Sequence, residues 1–451
     1  MPGVSNPDLL ALGPLDHIPA KLFLPFILYF DTPDPQTALL TLRNGIDKLV
    51  SQLPWLAGDV IFHQAPDGPK GRMHIAPPQV PLSQVSMLQV KHFAHDEESR
   101  SHRVQAYLAL PTFIPASEQR PVLRFQANVF PSKLVLAMSF WHNVVDGTGA
   151  GVILEAHAEC CRASAAQTDT PLAQTIATTH IPLRNHVSRF PAQCTTRLDH
   201  TVELGPPVFD PSTSTEQWNA VESALAFVVE TTRYTFDPHT VAQLKDRCTQ
   251  QLLSLSPESA SWISSNDIIT ATLALCVDRV LPDFLMAFNL RNRVHPRLPD
   301  TYVGNMIFPI HDTIEPPTPL PWAAQAPTTA EERRDLQRLA QLALRVRTRL
   351  SAMDETVAYS ASAVGRPAGI IVTSWRDLHV YSLDFGVGVG SIADFEPGLA
   401  LVPGGCIFLP ARTARMVDGG CATALWEVCV TLRTGDSEML LQDPLFRRIL
   451  A

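Results

Sequence analysis

Apolar residues fall along the chain in short runs of two kinds. Phe23–Tyr29, Val122–Asn128, Lys133–Trp141, Phe227–Tyr234, Gly369–Thr373 and Trp426–Leu432 are of strand length and rich in β-branched or aromatic residues. In the last, Trp426, Val428, Val430 and Leu432 share one face and Glu427, Cys429 and Thr431 the other, because side chains alternate along a strand. Spacing near 3.6 predicts helices over about Thr37–Gln52, Thr148–Cys161, Asp237–Gln250 and Asn266–Val280. A further helix over Ala330–Ser351 carries Leu336, Leu339, Leu342 and Leu344 near helical spacing. Strands and helices interleave, which predicts an α/β or α+β protein.

Proline marks the breaks. The stretch from about Arg162 to Glu222 is rich in Ser, Thr, Gln and Pro and is too long for an ordinary loop. It reads as a crossover between domains. A second proline-rich stretch, Ile314–Trp322, precedes the Ala330 helix. With 451 residues the chain is long enough for two to three domains. The longest strongly apolar run, about Leu22 to Phe30, is too short to cross a bilayer. Neither a signal peptide at the N-terminal Met1-Pro-Gly-Val nor a peroxisomal address at Ile449-Leu-Ala is expected.

Composition narrows the function classes. Hydrophobic residues make up 45% and charged residues 18%, enough apolar material for a large core. The net charge of −9 argues against a broad surface for nucleic acid or anionic membrane, since both need a positive face. A local basic pocket for a phosphorylated cofactor stays open. The eight cysteines show no C-x-x-C spacing, and most sit in apolar contexts such as Leu273–Val277. Free buried thiols fit a reducing compartment, so a cytoplasmic protein is expected.

H-x-x-x-D occurs three times, at His63/Asp67, His92/Asp96 and His142/Asp146. With 15 histidines such matches arise by accident, so context must choose. His63 precedes a Pro-Asp-Gly turn and His92 lies in a charged segment; both read as surface. His142 instead ends the apolar run Leu134–Trp141 and is followed by Asp146-Gly-Thr-Gly. Thr148 is a plausible N-cap for the next helix. A strand end opening onto a cleft can hold a catalytic base in position. A satisfied core histidine is the competing reading, and the local sequence does not decide between them. For Asp146 the favoured local role is a bridge to an arginine that shapes the loop, with Gly147 and Gly149 supplying backbone freedom.

Trp141-His-Asn-Val-Val-Asp-Gly147 and Tyr381-Ser-Leu-Asp-Phe-Gly-Val-Gly388 together resemble the BAHD acyltransferase family, which carries H-x-x-x-D near mid-chain and D-F-G-W-G late. Leu12-Gly-Pro-Leu-Asp16, Leu53–Gly58, Ser264–Ala271, Asn289–Arg293, Tyr302-Val-Gly-Asn305 and Thr373-Ser-Trp375 resemble further shared blocks, covering nearly the whole chain. Val387 stands where plant members have tryptophan, which makes the chain more like the fungal trichothecene-acetyltransferase-like branch.

The resemblance implies a chloramphenicol-acetyltransferase-like fold: two similar-sized domains, each a mixed β-sheet with flanking helices, and a channel between them. The expected division is 1–190, a crossover at 191–222, and 223–451. It also implies an acyl-CoA-dependent O-acyltransferase of secondary metabolism, with acetyl-CoA the expected donor. The partners would be a small-molecule acceptor and the acyl-CoA, with no metal, nucleic acid or membrane, and the protein a monomer. His142 and Asp146 would form the catalytic motif. Thr373, Ser374 or the Trp375 indole would donate to the oxyanion, with core packing the competing role for Trp375. Arg291 or Arg293 would pair with Asp146, and Asp384, Gly386 and Gly388 would be structural, with an arginine as a possible partner of Asp384. Two other classes compete: a stand-alone condensation-domain-like enzyme fed by a carrier-protein thioester, and a non-catalytic small-molecule binding protein of the same fold.

Overall fold

The computed structural model describes residues 9–63, 72–96, 104–114, 118–166, 168–188, 228–255, 262–277, 283–313, 330–353, 369–398, 403–412 and 424–451. In chain order the first elements are β1 (Leu10–Ala11), β2 (Phe23–Asp31), α1 (Pro35–Gln52), β3 (Asp59–His63), β4 (Arg72–Ala76) and β5 (Leu88–His92). Then come β6 (Leu123–Val129), β7 (Lys133–Trp141), α2 (Gly147–Ala166) and α3 (Pro171–Val187). After β8 (Val229–Phe236) the chain forms α4 (Pro238–Leu255), α5 (Ser265–Val277), β9 (Asp283–Asn289), β10 (Ile307–Thr313) and α6 (Ala330–Ala352). It ends with β11 (Ile370–Ser374), β12 (Asp394–Pro397), β13 (Gly405–Phe408), β14 (Trp426–Arg433), α7 (Asp436–Gln442) and α8 (Pro444–Arg447).

The chain forms two compact units. One comprises Met1–Ser223 together with Val294–Ile307 and Leu378–Leu399; the other comprises Ala224–Arg293, Phe308–Asp377 and Ala400–Ala451. Two late segments therefore fold back onto the first unit.

In the first unit a mixed sheet runs β12-β2-β7-β6-β5, with β5 parallel to β6 and the other pairs antiparallel. Its centre, β7, is buried from Leu134 to Trp141, which explains a sequence that is apolar at consecutive positions. Phe26 meets Phe140 and Phe395 edge-to-face at 5.2 and 5.1 Å, stitching three strands together. A small sheet, β1-β4-β3, lies in the same unit.

The second unit is built on a six-stranded sheet, β10-β9-β11-β13-β14-β8. Strands β9, β11 and β13 are parallel to one another, while β14 runs antiparallel to β13 and β8. The core gathers Ile268, Leu273, Leu339, Val346, Ile370, Phe408, Val428 and Phe446. Strand β14 has both faces covered: Cys429 and Thr431 are as buried as Val428 and Val430. Its alternation therefore separates two interior faces.

Three expectations change. The stretch that reads as a loop from Arg162 holds the end of α2 and the whole of α3 as far as Val187; Pro171 at the first turn of α3 suits a helix start, and Ser and Thr do not prevent the helix once its apolar side is buried. Residues 189–227, the rest of the expected crossover, lie outside those described. The N-cap of α2 is Asp146, with Thr148 inside the first turn. Strands β3, β4, β5, β9, β10, β12 and β13 gave too little periodicity to be read in advance.

Candidate active site

Strand β7 ends at His142, and its end is tied to both sides. Trp141 N–H donates to Val122 O at 2.9 Å and His142 N–H to Leu22 O at 3.0 Å. The chain then turns, with Val144 and Val145 N–H both reaching back to Trp141 O, and enters α2 at Gly147. His142 is partly exposed, whereas Asn143, Val144, Val145 and Asp146 are buried around it.

His142 Nδ1 lies 3.4 Å from Val145 O. A carbonyl can only accept, so this contact is a hydrogen bond in the tautomer that carries its proton on Nδ1. Nε2 is then left with a free lone pair. Burial holds the imidazole pKa below the ordinary 6.5, against the weaker pull of the Asp146 charge and the Val145 carbonyl. A depressed pKa keeps His142 in its basic form through neutral pH.

Asp146 is wholly buried. Its Oδ1 accepts Gly149 N–H at 2.8 Å, capping α2, and its Oδ2 accepts Met306 N–H at 2.9 Å. The second bond joins the motif to the segment Val294–Ile307. Gly149 belongs to the same contact: a Cβ there would lie 2.2 Å from Val303 O. The glycine permits backbone-to-backbone approach, a role different from the turn freedom expected of it.

Asn305, in the same segment, donates through Nδ2 to His142 O at 2.9 Å and to Asp16 Oδ1 at 3.0 Å. Asp16 is buried and paired with Arg184 at 2.7 Å. Asp16, Arg184 and Asn305 were missed as site residues. The available signal was that Asp16 and Asn305 both stand in blocks that carry the family resemblance.

Asp384 is exposed; its Oδ1 accepts Gly386 N–H at 2.9 Å, and Arg162 donates to its main-chain carbonyl. Gly386 and Gly388 have φ of +88° and +85°, which an L side chain resists. Phe385 is fully buried, edge-on to Phe30 and His157. This block and His142 share the first unit.

Thr373, Ser374 and Trp375 lie at the end of β11 in the second unit. Trp375 is buried and its main-chain N–H donates to Phe408 O at 2.9 Å, while Ser374 is exposed. Arg291, also in that unit, is buried and bonds Asn289 Oδ1, and Arg293 reaches Met353 O at 3.4 Å. Of the remaining motifs, His92 ends β5 exposed, and Asp96 ties down Ser132 through its N–H and hydroxyl. His63 ends β3, and the turn after it lies outside the described residues.

Comparison with known proteins decides the family. The model of the Transferase family matches residues 98–393, and that of the trichothecene 3-O-acetyltransferase-like N-terminal domain matches residues 22–111. The chain belongs to the BAHD acyltransferase family. A fumigaclavine B O-acetyltransferase of Penicillium roqueforti is 31% identical over 97% of both chains. A communesin N16 acyltransferase of Penicillium expansum is 29% identical over 96% of both. The fold matches that of TRI101 of F. sporotrichioides, solved with coenzyme A and T-2, at a TM-score of 0.65 and 19% identity over 98% of this chain and 99% of that one. Vinorine synthase matches at 0.59 and 15%, over 100% of this chain and 96% of that one. The protein is an acyltransferase.

Among the described residues, no group of three or more His, Cys, Asp or Glu is placed to hold a metal ion. No helix among them is long and apolar enough to cross a membrane.

Proposed function

We propose that the protein acetylates a hydroxyl group of a fungal secondary metabolite from acetyl-CoA, with His142 as the general base. The observation that carries this reading is the Nδ1 contact of His142 with Val145 O, which leaves Nε2 as the proton acceptor. Nε2 takes the acceptor's hydroxyl proton as the oxygen attacks the thioester carbonyl carbon. The tetrahedral intermediate collapses with cleavage of the carbon–sulfur bond, and the imidazolium returns the proton to the departing thiolate. The products are an ester and free coenzyme A, and no acyl-enzyme is required.

In this reading Asp146 shapes the turn and Arg291 or Arg293 is its proposed ionic partner. Thr373, Ser374 or Trp375 would supply the oxyanion donor. Asp384, Gly386 and Gly388 hold a surface turn remote from the chemistry. We read the protein as cytoplasmic and monomeric; buried free thiols such as Cys160, Cys161, Cys248 and Cys406 suit a reducing compartment.

The names of the relatives support a hydroxyl or a nitrogen as the acylated group, since one is a fumigaclavine B O-acetyltransferase and another a communesin N16 acyltransferase. The test follows free thiol release from acetyl-CoA with hydroxyl and amine acceptors, fumigaclavine B among them. Release without any carrier protein is expected. A requirement for a carrier-bound thioester would move the enzyme to condensation-type chemistry.

A further inference from the structure

The turn that presents His142 is held at three of its carbonyls, each by a different partner. His142 O accepts from Asn305 Nδ2 at 2.9 Å, Val144 O from Arg184 Nη2 at 2.6 Å, and Val145 O from His142 Nδ1. The first two partners converge on one carboxylate. Asp16 Oδ1 accepts both the N–H and the Nδ2 of Asn305, at 3.1 and 3.0 Å. Asp16 Oδ2 accepts Arg184 Nη1 and Gly13 N–H, both at 2.7 Å. Asn143 closes the set, donating through Nδ2 to Asp16 O and Pro19 O at 2.8 and 2.9 Å.

This is more than an ion pair sealing a core. Arg184 is 1% exposed and Asp16 2%. Arg184 reaches the turn directly at Val144 O, and Asp16 reaches it through Asn305, which holds His142 O. Arg184 Nε donates to His180 Nε2 at 3.1 Å, and His180 stacks on Trp55 at 4.2 Å, so the guanidinium plane is fixed from behind. A planar fork with three directed N–H groups suits this; an ammonium cannot reach all three acceptors at once.

We infer that Asp16 and Arg184 are positioning residues for the acyl transfer, clamping the His142–Val145 turn so that His142 keeps its proton on Nδ1 and its lone pair on Nε2. The inference rests on His142 being the base. Loosening the clamp would lengthen the already long Nδ1 contact with Val145 O and admit water to the ring. The Nε2-protonated tautomer would then become populated, which cannot accept the substrate's proton.

The test uses full-length protein labelled with 15N-histidine, with His142→Ala assigning the His142 signals, so its spectroscopic arm needs no known acceptor. In the wild type His142 is expected to be Nδ1-protonated and to titrate below 6.5. In Arg184→Lys and in Asn305→Ser the ring is expected to show mixed tautomers, with a titration point moved up toward the ordinary value. Thiol release from acetyl-CoA is expected to fall on the order of tenfold to a hundredfold, in kcat more than in KM. Asn305→Ser, which leaves the ion pair whole, reads out the same turn should Arg184→Lys fail to fold. A His142 spectrum and titration unchanged in folded variants would overturn the clamp. Full turnover by His142→Ala would instead overturn the base assignment, and the two failures are distinguishable.

Discussion

Asn305 Nδ2 donates to the main-chain carbonyl of His142 at 2.9 Å, although 163 positions separate them in sequence. The next residue, Met306, donates its N–H to Asp146 Oδ2. The H-x-x-x-D motif is therefore completed by a segment from the later part of the chain, and the histidine and the aspartate are each held by one of two consecutive residues.

Asp146→Ala is expected to destabilise the protein by about 2–6 kcal/mol, because two buried N–H groups, of Gly149 and Met306, lose their acceptor at about 1–3 kcal/mol each. Asp146→Asn keeps one acceptor oxygen and should lie between. Denaturant melts check this. An alanine variant as stable as wild type, with only its rate altered, would place Asp146 in the proton path.

Gly149→Ala should be equally disruptive for a different reason. Its Cβ would sit 2.2 Å from Val303 O, so either α2 or the Tyr302–Met306 segment must move. Turnover should fall together with melting temperature. A variant that is stable and fully active would show the contact to be incidental.

The fold class, the six longest strand candidates and the five predicted helices were legible because their periodicity is set by burial on a sheet or helix face. Lys133–Trp141 was read to the residue, since a strand covered on both faces is apolar without a break. His142 and Asp146 could be singled out because they share a local motif. Asp16, Arg184 and Asn305 act through bonds spanning 168 and 289 residues, and no local pattern encodes such distances. Arg184 was hidden further by lying in the stretch read as crossover, now α3. The bonds from Gly149 and Met306 N–H to Asp146 have no local signature either.

Stability should decline on mild acidification. Burial lowers the His157 pKa from 6.5 to about 4 and takes His180 well below 6.5. A histidine depressed in the folded state is protonated first in the unfolded chain, so its contribution is complete above pH 6.5 and is lost as pH falls toward 4. For His157 this amounts to about 3 kcal/mol over that window. His157→Gln should flatten the dependence of melting temperature on pH; an unchanged slope would contradict the assignment.

The late turn should separate from the chemistry. Asp384→Asn weakens the acceptor for Gly386 N–H, and Gly388→Ala forces a side chain into φ +85° at a cost of about 1–2 kcal/mol. Both should lower the melting temperature while the folded fraction keeps the wild-type pH–rate profile. A normally stable Asp384→Asn with a displaced kinetic pKa would overturn the structural role.

The most direct measurement is free thiol release from acetyl-CoA, with an acceptor hydroxyl present, by His142→Ala beside His92→Ala. His142→Ala should lose about a hundredfold or more in turnover while melting like the wild type. His92→Ala, altered at an exposed strand end, should retain nearly all of it. Near-wild-type turnover by His142→Ala would contradict the assignment of His142 as the base that accepts the acceptor's proton.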